Sequence, residues 1–197
     1  REQIKRLVEY LKVPIEINGE KALAIYSKIS PYLVLALIIG IIFYMPLRYV
    51  TPVVILVNIR LVMAKAKVVQ KADLIAGKIG TTLHHFVSAF QCIENEEWQS
   101  PYLKSLAARI KSENADSISG KIEQLAQLIN KLNYRLNMVM MFILNALFIW
   151  DIRQLIAIEN WKRNNLVHIE AAFDVIAGFE AVMSLAGLHI NYPGWSF

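Results

Sequence analysis

Between Val53 and Ile93 apolar side chains recur in steps of three and four: Ile55, Ile59, Val62, Ala66, Val69, Ala72, Ala76, Ile79, Leu83, Phe86, Phe90 and Ile93. That period belongs to one face of an α-helix. It predicts one helix of about 41 residues, roughly 60 Å long at 1.5 Å per residue. Gly77 and Gly80 weaken it locally, and Glu94, Glu96 and Glu97 mark its end. A second run with the same spacing passes through Ile122, Leu125, Ile129, Leu132, Leu136, Val139, Ile143, Leu147 and Trp150. Residues 138–150 are almost wholly apolar, with Asn145 as the polar interruption, and are expected to cross the centre of the core. The pattern continues through Leu155, Ile158, Leu166, Ile169, Phe173, Ile176 and Met183, with a break expected at Asn164-Asn165.

Shorter elements fill the rest. Residues 2–12 read as an amphipathic helix with Ile4, Leu7, Val8 and Leu11 on one face, closed by Pro14. Asn18-Gly19 is a turn with Asn18 as N-cap, leading into a short helix over 20–29. Ser100-Pro101 reads as an N-cap with proline at the first helical position, followed by a helix to Lys111 and a loop from Ser112 to Gly120. No period-two alternation is long enough for a sheet. The fold class is therefore all-α, a long-helix bundle with two or three very long helices packed by shorter ones.

One stretch resists a simple assignment. Ile29 to Leu47 holds 19 residues without a charge, between Lys28 and Arg48. A membrane-spanning helix needs about 20. Pro46 and Pro52 bracket a bend, and a second apolar run, Val53 to Ile59, ends at Arg60. Two readings stand: a helical hairpin that enters a membrane through residues 29–59, or a core helix buried on all sides.

Composition and charge sharpen the picture only in part. Hydrophobic residues make up 56% of the 197, with 8 Gly and 6 Pro, which favours long helices over turns. A single cysteine, Cys92, excludes an internal disulfide framework and a cysteine-based zinc site. Residues 1–93 carry 12 Lys and Arg against 5 Asp and Glu, or +7, while residues 94–197 carry 9 against 11, or −2. A basic half suits phosphate, whether of nucleic acid or of lipid headgroups. Arg60, Lys65, Lys67, Lys71 and Lys78 line the long helix, with Lys67, Lys71 and Lys78 on one face. They are candidates for the DNA backbone, against the plainer reading of a solvated face.

No phosphate-cradling loop, dinucleotide fingerprint or nucleophile elbow is present. His84 and His85 are adjacent and point about 100° apart on a helix, so they cannot share a metal as i,i+4 residues can. Glu170 and Asp174 share a face but lack the Glu-x-x-His pairs of a di-iron bundle. The sequence therefore offers no catalytic residue and no metal ligand set. Trp150, Trp161 and Trp195 are expected as packing anchors.

The order of the pieces adds something that composition does not. "FVSAFQCIENEEWQSPYLKSLAARI" (Phe86 to Ile110), "NALFIWDIRQLIAIENWKRNN" (Asn145 to Asn165) and "FDVIAGFEAVMSLAGLHINYPGWSF" (Phe173 to Phe197) together resemble the helical core, or lever, of MutS-family proteins. "REQIKRLVEYL" resembles the opening of the same core. The resemblance covers 86–197 best. The mismatch-reading domain with its Phe-x-Glu wedge is missing, and the apolar stretch 31–63 departs from a soluble repair core.

The resemblance implies one helical core/lever domain over 1–197, with pieces 1–30 and 86–197 around the apolar stretch 31–63, ending before a C-terminal ATPase domain. Glu180, Ala181, Ser184, Leu185 and Ala186 match the family's last lever helix. Asn191, Pro193, Gly194 and Trp195 then form the interdomain hinge. The implied function is transmission of ATP-driven motion in a DNA mismatch-repair or DNA-processing ATPase. The fragment itself would not be an enzyme and would hold no cofactor, ATP and magnesium being bound by the missing domain. Implied partners are DNA without sequence preference, the chain's own ATPase domain and a second copy, dimerised through that domain. The expected location is cytoplasmic, with membrane association on the hairpin reading. The alternative function is a membrane-associated helical scaffold inserting residues 29–59.

Overall fold

The computed structural model describes residues 11–13, 19–110 and 117–194, with only the backbone of 74–82. Among the described residues the fold is all-α. Six α-helices follow in order: α1 (Glu20–Phe43), α2 (Leu47–Asn95), α3 (Pro101–Ala108), α4 (Ile118–Asn133), α5 (Met138–Phe148) and α6 (Trp150–Asn191), with a 3-10 turn at Tyr134–Leu136. The two longest, α2 and α6, have 49 and 42 residues. Of the helix expected over 2–12 only Leu11 and Lys12, both helical, are described; the Asn18 cap and residues 112–116 of the expected loop lie outside the described residues, and its last three residues, 118–120, belong to α4.

The chain divides into two compact units. One comprises Arg1–Lys12, Thr81–Gln124 and Asn164–Phe197; the other comprises Val13–Gly80 and Leu125–Arg163. Every boundary but the first falls inside a helix, so sequence punctuation does not mark the division.

The unit containing the ends of the chain is built on aromatic packing. Phe173 of α6 meets Phe86 edge-on at 5.1 Å and Phe90 at 6.1 Å, both from α2. Trp98 lies 4.7 Å from Phe179 and donates its indole N–H to the Ile93 carbonyl near the end of α2. Gly178 lets α3 approach α6, since a Cβ there would sit 3.0 Å from Leu106 Cδ1. Ser100 and Pro101 open α3 as expected, although the Ser100 side chain makes no capping bond. Glu94 caps α4 from outside: its carboxylate accepts the Ser119 amide at 3.1 Å and the Ser119 hydroxyl. A carboxylate at a helix N-terminus also meets the positive end of the helix dipole.

Four sequence expectations need correction, three in the other unit and one at Asn164-Asn165 of α6. The short helix 20–29 and the apolar stretch after it are one helix: Pro31 removes a single rung, and Tyr26 and Ser30 just before it are both tied to Asn58. Gly19 starts that helix at φ 77, a conformation open to glycine. The run 122–150 is not uninterrupted. Asn137 accepts the Val139 and Met140 amides at 3.1 and 3.2 Å and starts α5 afresh. Residues 138–150 do not fill the core centre; Met138, Val139, Met140, Phe142 and Ile143 are exposed. Asn164 and Asn165 do not break α6, since the helix penalty of asparagine is small and buried Trp161 and Ile169 hold the flanking turns.

Between α5 and α6 the chain turns on Ile149, at φ 49 and ψ 43, in the left-handed region. A β-branched residue is strained there. Ile149 is only 1% exposed, and its burial offsets the strain.

Phe173→Ala is expected to destabilise its unit by about 3–4 kcal/mol, as large-to-small changes among packed aromatics do. Urea unfolding of the full chain in mild detergent measures this, with exposed Leu185→Ala expected to cost less than about 0.5 kcal/mol.

Candidate membrane-embedded surface

The unit formed by 13–80 and 125–163 has its polarity inverted around one helical hairpin. In α1 the buried residues are Ser27, Ser30 and Val34, while Leu35, Ile38, Ile39, Ile42 and Phe43 are exposed. Tyr44 to Pro46 turn the chain, and α2 returns antiparallel. Close approach at the turn depends on Gly40, whose Cβ would lie 2.7 Å from Leu47 Cδ1. Monomeric soluble proteins rarely expose contiguous apolar patches of more than a few hundred Å². Here the exposed apolar side chains of α1, α2 and α5 all belong to this one unit.

Asn58 is the node of its interior and is 0% exposed. Its Nδ2 donates to the Ala146 carbonyl of α5 at 2.9 Å and to Ser30 Oγ at 3.1 Å. Its Oδ1 accepts from the Tyr26 hydroxyl at 2.8 Å and lies 3.3 Å from Ser30 Oγ. One amide thus ties three helices. Thr51 Oγ1 donates to the Leu47 carbonyl one turn back, so its hydroxyl is satisfied within α2. Small and polar residues inside, with aliphatic residues outside, is the arrangement of helices that associate in lipid.

The exposed face of α2 changes character along its length. At 100° per residue, Tyr49, Val53, Leu56 and Val57 project within about 60° of the direction of Arg60. Arg60, Lys67 and Lys71 continue the same stripe and are exposed. Lys65 points about 140° away, is half-buried and is engaged in contacts of its own. The side chain of Lys78 lies outside the described residues. Three of the five basic candidates therefore share one face, directly after the apolar segment.

A second polar cluster sits where α5 meets α6. Asn145 Oδ1 accepts the Asp151 amide at 2.9 Å and caps α6 across the Ile149 turn. Asp151 is 2% exposed, and its Oδ2 lies 3.7 Å from Arg135 Nε. Asp151 Oδ1 and Arg135 Nη1 are buried without hydrogen-bond partners. Burial pushes the Asp151 carboxyl above its ordinary range, against the lowering by Arg135 and the Asn145 bond; Asp73 adds a further push upward. Lys162 Nζ bonds Glu159 Oε1 at 2.9 Å, both side chains being buried, and the carbonyl of exposed Val13 at 2.7 Å.

The remaining candidates are dispersed. Asn191 is the last residue of α6, and Pro193 and Gly194 form an exposed turn; Trp195 lies outside the described residues. His84 and His85 are exposed, with the His84 carbonyl accepting from Ser88. Among the described residues no group of three or more His, Cys, Asp or Glu is placed to hold a metal. Trp150 donates its indole N–H to the Lys131 carbonyl at 2.8 Å and stacks on Tyr134, an anchor as expected. Among the described residues two helices, α1 and α6, are long and apolar enough to cross a membrane by length and composition. In α6 Phe173, Val175, Ile176 and Phe179 are buried and Met183, Leu185 and Ile190 are exposed; in α1 Val34 is buried and Leu35, Ile38, Ile39, Ile42 and Phe43 are exposed.

Sequence reading missed Asn58 as a node, although a lone asparagine within the apolar run Val53–Ile59 was the available signal. Asn58→Ala strips the Ala146 carbonyl and the Tyr26 and Ser30 hydroxyls of a partner and is expected to cost about 2–3 kcal/mol. Thermal unfolding followed by circular dichroism measures it, with exposed Val53→Ala expected to change little. For Asp151 the folded state binds the proton more tightly than the unfolded chain. Its contribution to stability is therefore greatest below the unfolded value, about 3.9, and declines as pH rises to the raised folded value. The stability difference between the wild type and Asp151→Asn should fall over that window and then level off in a pH series of melts. No protein-family model, curated protein or solved structure matches the chain.

Proposed function

We propose that the chain is a membrane-anchored helical module whose α1–α2 hairpin enters the bilayer. The observation that carries this reading is the inverted polarity of the hairpin: Ser30 and Asn58 are fully buried while Ile42 and Phe43 are 80% and 84% exposed. In water such a surface drives association; in lipid tails it costs nothing, and the inward hydrogen bonds satisfy the polar groups that lipid cannot. Arg60, Lys67 and Lys71 then stand where an apolar helix leaves the bilayer.

The sequence resemblance supports a second layer of this proposal. The anchored module is the core and lever of a MutS-like DNA-processing ATPase, with α2 and α6 as rods and the turn at Pro193 and Gly194 as the hinge. The fragment performs no hydrolysis; ATP and magnesium act in a following ATPase domain, which also brings two copies together. DNA is contacted through its phosphates, without sequence preference. Localisation is cytoplasmic at a membrane surface.

Flotation of the full chain with phospholipid vesicles tests the anchor. It is expected to float and to resist extraction by about 1 M salt, because apolar insertion is unscreened. Recovery in the salt-washed supernatant would sink the reading. The coding sequence beyond Phe197 tests the lever: a strand followed by G-x-x-x-x-G-K-[ST] is expected, and a stop codon there removes the ATPase.

A further inference from the structure

The hairpin also carries a direction. We infer that it crosses the bilayer with both of its ends on the anionic, cytoplasmic side, where Arg60, Lys67 and Lys71 seat on lipid phosphates. The inference rests on the membrane reading above.

The first argument is register. The bonds between Ser30 and Asn58 and the contact of Gly40 with Leu47 align the two helices antiparallel. In that register Lys28 stands level with Arg60, so the first charges outside both apolar segments lie in one plane. From that plane to the end of α1 at Phe43 is about 22 Å at 1.5 Å per residue. Hydrocarbon is about 30 Å thick. Long basic side chains cover the difference by reaching outward with their charged ends, keeping their stems in the apolar layer.

The second argument is the far end. Arg48 follows the tip, where its guanidinium lies 4.7 Å from the ring centroid of Tyr49 and also bonds the Tyr49 hydroxyl. Tyr44 and Tyr49 are exposed beside it. Tyrosines with a paired arginine suit a membrane–water interface, where ring and charge meet headgroups. A hairpin buried in one leaflet would leave this cluster in hydrocarbon.

The third argument is the sign of the charge. The tip carries Arg48 alone, whereas the base carries Lys21 and Lys28 on α1 and Arg60, Lys65, Lys67 and Lys71 on α2. Basic residues flanking membrane segments are retained on the cytoplasmic side, and each near an anionic surface strengthens binding severalfold. The exposed trio follows one stripe, so all three reach the same headgroup layer, while Lys65 does not belong to it.

Cys92 gives a built-in reporter, being exposed and the chain's single cysteine, downstream of the basic stripe. In bacterial cells producing the full chain, a membrane-impermeant maleimide is expected to label Cys92 only after lysis. Met45→Cys in a Cys92→Ser background should be labelled in intact cells. If the Met45→Cys protein sits in the membrane fraction but is unlabelled until lysis, the crossing is overturned while the anchor stands. If the chain is soluble, the anchor itself fails and the topology with it. The triple variant Arg60→Gln, Lys67→Gln, Lys71→Gln tests the phosphate contact in vesicles. The wild type should bind vesicles with about 30% phosphatidylglycerol roughly 100-fold better than phosphatidylcholine alone. The variant should keep insertion and lose that preference; an unchanged preference would remove the stripe from headgroup recognition.

Discussion

The hairpin unit depends on one amide that has no water to turn to. Asn58 sits among aliphatic side chains and makes its bonds to Tyr26, Ser30 and the Ala146 carbonyl. Outside the protein, in either water or lipid, those bonds would differ in worth, but inside they have no substitute. An unpaired buried amide costs far more than a made bond returns. The node therefore sets register: slide α1 by one residue against α2 and the Tyr26 and Ser30 hydroxyls lose their partner together. Aliphatic packing alone tolerates such slips, because one methyl replaces another.

The two units reach stability by different means. The unit with both chain ends uses aromatic edges, Phe86 and Phe90 against Phe173 and Trp98 against Phe179, with carboxylate and indole groups closing helix ends. Phe90, Phe173, Val175, Ile176 and Phe179 turn inward, while Val167, Met183, Leu185 and Ile190 are exposed. In the other unit the hairpin turns Ser27, Ser30 and Asn58 inward and most of its large apolar residues out, while Ile129, Leu132, Ile152, Leu155 and Ile158 are buried.

Much of the helix pattern was legible because it is local. Three-four spacing located α2 from Val53 to its end, but the helix starts at Leu47 and takes Pro52 into its first turns rather than bending there, while serine before proline located the start of α3. What failed was what spacing cannot encode. An apolar period does not say whether the face looks into the protein or out of it, so residues 138–150 read as core centre although five of them are exposed. Asparagine was misread in both directions: Asn164 and Asn165 looked like a break yet lie within α6, whereas Asn137 looked unremarkable yet caps α5. The difference lies in the partners, two amides for Asn137 and well-packed neighbours around the pair. The basic stripe was half legible. Lys67 and Lys71 were placed on one face from spacing, but the continuity of that face with Tyr49, Val53 and Leu56 emerges only with exposure. The Asp151–Arg135 pair gave no sequence signal, its members being separated by a whole helix.

The left-handed Ile149 has a consequence for how the chain stores alternatives. Helices α5 and α6 are adjacent in sequence and are kept apart by this one residue, at a backbone cost of order 1–3 kcal/mol. What opposes that cost is local: burial of Ile149 and the Asn145 cap on Asp151. Relax either, and the backbone's own preference is to let Met138 to Asn191 run on as one rod. The bend is thus a spring held closed by its surroundings. Whatever environment receives the outward face of α5 sets the tension on it.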